Sequence, residues 1–389
     1  MIKKNLPLLL FLIISLVYSQ EQDCNCIDEL DTMSKLIKNS KSYKTQIKKE
    51  ARESDFNAWK EEIKREIAND SLSKFFCVGY LQKYISFIED KHNQVYFIPD
   101  NITENVPTYS KEIDTTLKST DQVSGIYYAG SDKVLMQKEN DTIWYGITLK
   151  SDSKEWTKGK IRLRIEKTAN NNFEIFEYFQ NGLLFYQKNI EILNGRIHST
   201  FWNKDNNYFF NKNFEDNFTY KSINSSFDYV GIKTLRRTSS LMKEAATFYE
   251  NNLEKLTREN LIIDLRNNGG GSINQLKPLI KSLKRNKTIR KIYVLINFKT
   301  GSSAELATLA LKEDKRTIIA GENSRGMVAY GYGNNSFSAK TNCLKYNVVL
   351  STKRSGKYGR YENIGIKPNF ELDNKSDWID QIVKEEIAK

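Results

Sequence analysis

Apolar positions in the first part of the chain recur at helical spacing. Leu30, Met33, Leu36 and Ile37 lie three or four residues apart or side by side, and Trp59, Ile63 and Ile67 repeat the pattern. A third run, residues 75–88, is apolar and aromatic, so the region from about 26 to 88 reads as helical. It leads through Glu89-Asp90-Lys91-His92 into Val95-Tyr96-Phe97-Ile98, a strand by composition that Pro99 stops. From about 120 to 218 the rhythm changes. Short β-type segments such as Gly125-Ile126-Tyr127-Tyr128, 142–147 and 160–165 alternate with Asn, Asp, Ser and Lys clusters. That rhythm predicts an antiparallel β-module, a sandwich or barrel, and no internal repeat is visible. After Asp228 the order becomes strand (229–235), helix (240–256), buried strand (261–265), Gly269-Gly270-Gly271, helix to about 283, strand (292–296), helix (303–312) and strand (317–320). Such alternation predicts an α/β fold with a mostly parallel sheet. Ligands in these sheets gather at the carboxyl ends of strands, where both the triple glycine and Ser302 fall.

The expected division is therefore a signal segment (1–19), an N-terminal helical region carrying the His92 turn (20–118), a β-rich module (119–218) and an α/β core (219–389). Lys3 and Lys4, the apolar run 8–17 and Val17-Tyr18-Ser19 before Gln20 have the form of an export signal. No later stretch approaches the ~20 apolar residues of a membrane span. The expectation is a soluble protein in the periplasm or outside the cell.

A 39% hydrophobic and 12% aromatic content excludes a disordered chain. The net charge of +12 comes from lysines scattered among acids, without a basic block, so a solvated surface is expected rather than a nucleic-acid partner. Four cysteines (Cys24, Cys26, Cys77, Cys343) allow three complete pairings. A bridge from Cys24 or Cys26 to Cys77 would pin the N-terminus; Cys343 could equally be a buried free thiol. With two histidines and no second ligand pair near Cys-x-Cys, no metal site is expected.

Three pieces carry candidate chemistry. Ser302, in Thr300-Gly301-Ser302-Ser303-Ala304-Glu305, begins a helix after a buried strand, where free N–H groups would favour an oxyanion. Its local alternative is a capping box, with Glu305 reciprocating. The run Asp264-Leu265-Arg266-Asn267-Asn268-Gly269-Gly270-Gly271 would let backbone N–H groups approach a ligand, and no Gly-Lys-Ser/Thr follows to make it a phosphate loop. A serine nucleophile needs a base, and His92, in a polar turn, is better placed than His198 in the β-rich region.

Together these pieces resemble the C-terminal processing (tail-specific) and tricorn-type serine peptidase family. Asp264 to Gly271 is similar to its Asp-Leu-Arg-x-Asn-x-Gly-Gly signature, Ser302-Ser303-Ala304-Glu305 to its nucleophile motif. Ala320-Gly321-Glu322 and the run from Glu362 through Ile366-Lys367-Pro368-Asn369 are similar to its later landmarks, in order. Met327 stands where one branch has a catalytic lysine, whereas Asp90-Lys91-His92 resembles the Asp-x-His turn of the tricorn-like and retinoid-binding-protein-like branch. The resemblance implies a crotonase-like core with Ser302 as nucleophile, His92 as base and Glu362 as the supporting carboxylate. It implies an oxyanion hole of the Gly270 and Ser303 N–H groups, with Asp264, Arg266, Asn268 and Glu305 in support. The implied substrate is a peptide or unfolded protein, and no cofactor is needed. The β-rich module lacks the carboxylate-binding loop of a peptide-binding PDZ module, so selection by a chain terminus is not implied. The alternatives are a catalytically silent binding protein on the same scaffold, or a carbohydrate-associated or scaffolding role for the aromatic β-module.

Overall fold

The computed structural model describes residues 24–116, 121–170, 172–331 and 335–388. The expected signal segment, 1–19, lies outside the described residues. Helices α1 (Cys26–Leu36), α2 (Glu53–Asn69) and α3 (Ser73–Ile85) pack together. A short strand β1 (Gln94–Tyr96) and a single turn α4 (Ile102–Asn105) follow. Strands β2 (Gly125–Ala129), β3 (Asp132–Lys138), β4 (Ile143–Lys150), β5 (Ile161–Lys167), β6 (Phe173–Tyr178) and β7 (Leu184–Ile190) form an antiparallel meander in sequence order. No ladder joins β2 to β7 among the described residues, so the module is one open sheet rather than the expected sandwich or barrel.

Helix packing explains why the sheet need not close. Phe76 and Tyr80 of α3 cover one face, their rings 5.7 and 5.6 Å from that of Phe176, in a core shared with Tyr145, Tyr178 and Leu184. Gly79 permits the close approach, because a Cβ there would come within 2.5 Å of the Phe176 ring. The other face carries Val134, Met136, Trp144, Leu163 and Ile175, which pack against Ile192, Ile197 and Trp202 around the small hairpin β8 (Ile192–Leu193) and β9 (Arg196–Ile197). A sheet covered on both faces has no exposed apolar surface left to bury in a second sheet.

The α/β part contains β10 (Phe218–Ser222), β11 (Phe227–Ile232), α5 (Ser239–Asn252), β12 (Asn260–Asp264), α6 (Lys277–Arg285), β13 (Lys291–Ile296), α7 (Ser303–Lys312) and β14 (Thr317–Gly321). Two further strands, β15 (Ser336–Lys340) and β16 (Asn347–Ser351), precede the short β17 (Phe370–Glu371) and α8 (Trp378–Ile387). The sheet order is β10-β11-β12-β13-β14-β17, parallel from β11 onward, with β10 antiparallel at the edge. Alternate residues feed two cores, as a period of two requires. Leu261, Ile263, Ile292 and Val294 pack on α5, α6 and α7, while Ile262, Tyr293 and Leu295 pack with Trp378 and Ile382 of α8.

A third sheet, β1-β16-β15, draws the N-terminal region onto the core: β1 pairs antiparallel with β16, Val95 opposite Val348. Disulfide Cys24–Cys343 reinforces this closure, while Cys26–Cys77 joins α1 to α3, with Cα–Cα separations of 5.6 and 5.5 Å. Cys343 is therefore bonded, not a free thiol. Among the described residues no helix is long and apolar enough to cross a membrane.

Candidate active site

The turn between β13 and α7 holds Ser302 at φ 54°, ψ −122°, a conformation that costs a non-glycine residue on the order of 1–3 kcal/mol. The surrounding bonds impose it. Gly301 N–H donates to Asn268 O at 3.0 Å, and Thr300 Oγ donates to Leu265 O at 2.8 Å. Ser302 N–H donates to the Glu305 carboxylate at 2.9 Å, which is the Glu305 half of the expected capping box.

Glu305 does more than cap. Its fully buried carboxylate also accepts Ser324 Oγ–H at 2.6 Å and the N–H groups of Gly326 at 2.7 Å and Met327 at 2.9 Å. Burial pushes its pKa up, and these four donors oppose that push. The carboxylate thus fastens the 324–327 loop to the nucleophile turn.

His92 reaches this turn from the other side of the molecule. The Asp90 side chain accepts His92 N–H at 2.9 Å, closing a tight turn after α3. His92 Nε2 then lies 3.4 Å from Ser302 Oγ, although 210 residues separate them. The ring is largely buried, and Gly331 (φ 67°) packs against it: a Cβ there would approach His92 Cδ2 to 2.3 Å. Burial first, and the Arg325 charge second, lower the His92 pKa to about 4, so the imidazole is neutral at pH 7. A neutral ring nitrogen facing a hydroxyl can accept its proton.

The second imidazole nitrogen, Nδ1, is buried, has no hydrogen-bond partner among the described residues and stands 4.0 Å from Asp90 Oδ1. Asp90 also accepts a bond from Ser351 Oγ at the end of β16, and burial pushes its pKa up to about 6. Glu362, expected to support the base, is brought into this cluster but is not bonded to His92. Its Oε1 accepts Lys91 N–H at 3.3 Å, and Oε2 accepts the N–H groups of Val328 at 2.9 Å and Ala329 at 2.6 Å. It anchors the His92 turn to the 328–329 segment, and burial pushes its pKa up. Asp90, His92 and Glu362 each offer a ligand atom within 4.8 Å of the others, spacing compatible with a cation. Each carboxylate oxygen already accepts an N–H or O–H, however, and the His92 Nε2 faces Ser302.

The glycine run lies against the nucleophile. A Cβ on Gly270 would fall 2.7 Å from Ser303 N and 3.0 Å from Ser302 Cβ. The Gly270 N–H, however, donates to Asn268 Oδ1 at 3.0 Å, which corrects its expected place as an oxyanion donor. Gly271 is better oriented. Its neighbour Ser272 donates to Leu235 O at 2.6 Å, and that bridge turns the N–H and C=O of Gly271 to the opposite side. There the Gly271 C=O accepts Ser303 Oγ–H at 2.7 Å. Among the described residues the N–H groups of Gly271 and Ser303 take no acceptor.

Asp264 and Arg266 form a buried ion pair at 2.6 Å beneath the loop, where Tyr229 O–H and Phe209 O complete their bonding. Asn268 ties the loop to Ile232 O at 2.9 Å. These residues shape the site without facing Ser302. His198 directly follows β9 and takes no part in these bonds. The residues absent from the sequence-based set are Asp90 as a partner of the base, Ser351, Gly331 and Arg325. Asp90 had a signal in its Asp-x-His spacing; the others had none.

Peptidase family S41 matches this chain over residues 227–291 and 281–372. Similar solved structures include mature CPAF complexed with lactacystin (13% identity, 93% of this chain and 97% of that one, TM-score 0.46). Another is the photosystem II D1 C-terminal processing protease (15%, 90% and 94%, TM-score 0.35). A putative peptidase from Parabacteroides merdae is also similar (12%, 94% and 96%, TM-score 0.38). No curated protein matches the chain.

Proposed function

From the premise that residues 227–372 are an S41 core, of the serine peptidase type, we propose that this protein cleaves peptide bonds through an acyl-enzyme on Ser302. The observation that carries the proposal is the 3.4 Å approach of His92 Nε2 to a serine held at positive φ at a helix start. In the proposed reaction, Ser302 Oγ attacks the peptide carbonyl carbon while His92 takes its proton. The oxyanion rests on the Gly271 and Ser303 N–H groups. Collapse breaks the C–N bond, and His92 returns the proton to the leaving amine. Water, deprotonated by His92, then releases the acyl group and restores Ser302. Asp90 and Glu362 position the base through its backbone turn.

The proposed setting is outside the cytoplasm, as an exported peptidase. Two disulfides support it, because such bonds persist in oxidising compartments. The proposed substrates are peptides or unfolded proteins.

A second reading, a silent peptide- or ligand-binding protein, is favoured by one observation: His92 Nδ1 has no carboxylate within hydrogen-bond reach. Turnover of peptide libraries by wild type, Ser302→Ala and His92→Ala separates the two. The peptidase reading expects loss in both variants with melting temperature retained; equal turnover in all three overturns it.

A further inference from the structure

The wall of the site beside Ser302 carries cations without acids of their own. The Arg325 stem runs along the residue preceding the nucleophile: its Cδ lies 3.2 Å from where a Cβ on Gly301 would be. Its backbone holds it there, since Arg325 N–H donates to Thr300 O at 2.9 Å and Arg325 O accepts the Lys91 ammonium at 2.6 Å. Lys299, three residues before Ser302, has its Nζ 6.0 Å from the centre of the Phe179 ring, which stacks 5.9 Å from Phe185. Aromatic rings of the β-rich module face both cations: the Arg325 guanidinium is 5.6 Å from the Phe185 ring centre, and Lys299 Nζ is 4.4 Å from that of Phe201.

These ring contacts hold a cation in place without neutralising it. Among the described residues no carboxylate oxygen lies within 4.0 Å of the Arg325 guanidinium or the Lys299 ammonium. The acids nearest in effect are already committed: Glu305 to its four donors, and Glu177 to Trp202 Nε1 at 2.8 Å. Burial lowers the pKa of Arg325 and of Lys299, and the Arg325 charge adds to the lowering at Lys299 and at Lys91. Recessed charges without counter-charges are costly to fold, and a ligand of opposite sign recovers that cost.

We infer that the substrate presents an acidic side chain, Asp or Glu, beside the scissile bond, and that Arg325 and Lys299 bind its carboxylate. The inference rests on the peptidase reading for its geometry, since it places the carboxylate relative to Ser302. The guanidinium fork suits two parallel bonds to a carboxylate, and Lys299 supplies a second point charge. The flanking Phe185 and Phe201 rings would receive the apolar part of the neighbouring residue.

The test uses the full mature chain and internally quenched peptides that carry Asp, Glu, Asn or Gln at each position around the cut. Each peptide is made with a free and an amidated C-terminus. The inference expects kcat/KM at one position to be at least about tenfold higher for the acid than for its amide, whichever terminus is present. Arg325→Met and Lys299→Met should each shrink that ratio to below about threefold, and Arg325→Glu should move the preference to Lys or Arg. A preference that follows only the free terminus, or a ratio unchanged in all three variants, overturns it. Binding of labelled acidic and amide peptides to Ser302→Ala, read by fluorescence anisotropy, separates the two readings. Arg325-dependent binding of acids without wild-type turnover overturns the peptidase reading and keeps the acid site. Turnover without acid selectivity overturns the acid site alone.

Discussion

At the scale of single residues, the site is governed by what burial does to His92. An exposed imidazole has a pKa near 6.5, and here desolvation, helped by Arg325, lowers it to about 4. The base form therefore persists as pH falls through 6.5 and is lost only near 4. The acid limb of kcat/KM is expected well below pH 6.5, and Arg325→Met should move it upward by removing one of its two causes. A limb at the ordinary histidine value in wild type would show that the ring is solvated during turnover. The stability consequences run in opposite directions at two neighbours. Because the His92 pKa is depressed on folding, the unfolded chain takes up its proton first, so stability drops as pH falls from 6.5 to 4. Asp90, raised from 3.8 to about 6, contributes stability below 3.8 that is lost as pH rises through 6. The Asp90→Asn variant should therefore show a steeper loss of melting temperature between pH 6 and 4 than wild type.

At the scale of elements, Glu305 joins α7 to a loop with no regular structure of its own. Its four donors need two anionic oxygens. In Glu305→Gln one oxygen becomes an NH₂ facing N–H donors, leaving buried groups unsatisfied at about 1–3 kcal/mol each. The expected outcome is a melting temperature lower by several degrees and a fall in kcat larger than the change in KM, because Ser302 N–H and the 324–327 loop both shift. An unchanged kcat would show that the loop does not hold the nucleophile turn. The same elements mark what could be read from sequence. Strands β11 to β14 are buried, near-continuous apolar runs separated by helices, so their pattern is local and legible. The pair β15 and β16 was not: Ser336-Phe337-Ser338-Ala339-Lys340 is weakly apolar, and β16 completes its pairing with β1, far earlier in the chain. Ser302 and His92 carried motif signals. Arg325, Ser351 and Gly331 reach the site through folding of distant segments, and local composition does not encode that. The module 119–218 had strand rhythm, but its rhythm could not say that α3 would cover the face a second sheet would otherwise occupy.

At the scale of the whole molecule, the base and the nucleophile belong to regions joined by the β1–β16 ladder, the Lys91–Glu362 bond and the Cys24–Cys343 disulfide. His92 is followed closely by β1, whose only strand partner among the described residues is β16, and β16 ends on Ser351, the partner of Asp90. The hairpin β15–β16 therefore fixes the His92 turn on the core, and Cys343 sits between its two strands, bonded to Cys24. This bond closes a loop with a sequence separation of 319 residues, the arrangement in which a cross-link restricts the unfolded chain most. Replacing both partners, Cys24→Ser with Cys343→Ser, should cost about 2–5 kcal/mol of stability. The loss should be graded in function too. The Ser302 turn is built within residues 227–372, the part that matches peptidase family S41, whereas the His92 turn depends on the hairpin, so the variant should keep slow labelling of Ser302 by a serine-directed fluorophosphonate and lose turnover. The Cys26–Cys77 pair links α1 to α3 within the helical region, and its Ser–Ser replacement should lower stability while leaving the ratio of labelling to turnover unchanged. A parallel fall of labelling and turnover in both double variants would mean that the hairpin does not specifically hold the base.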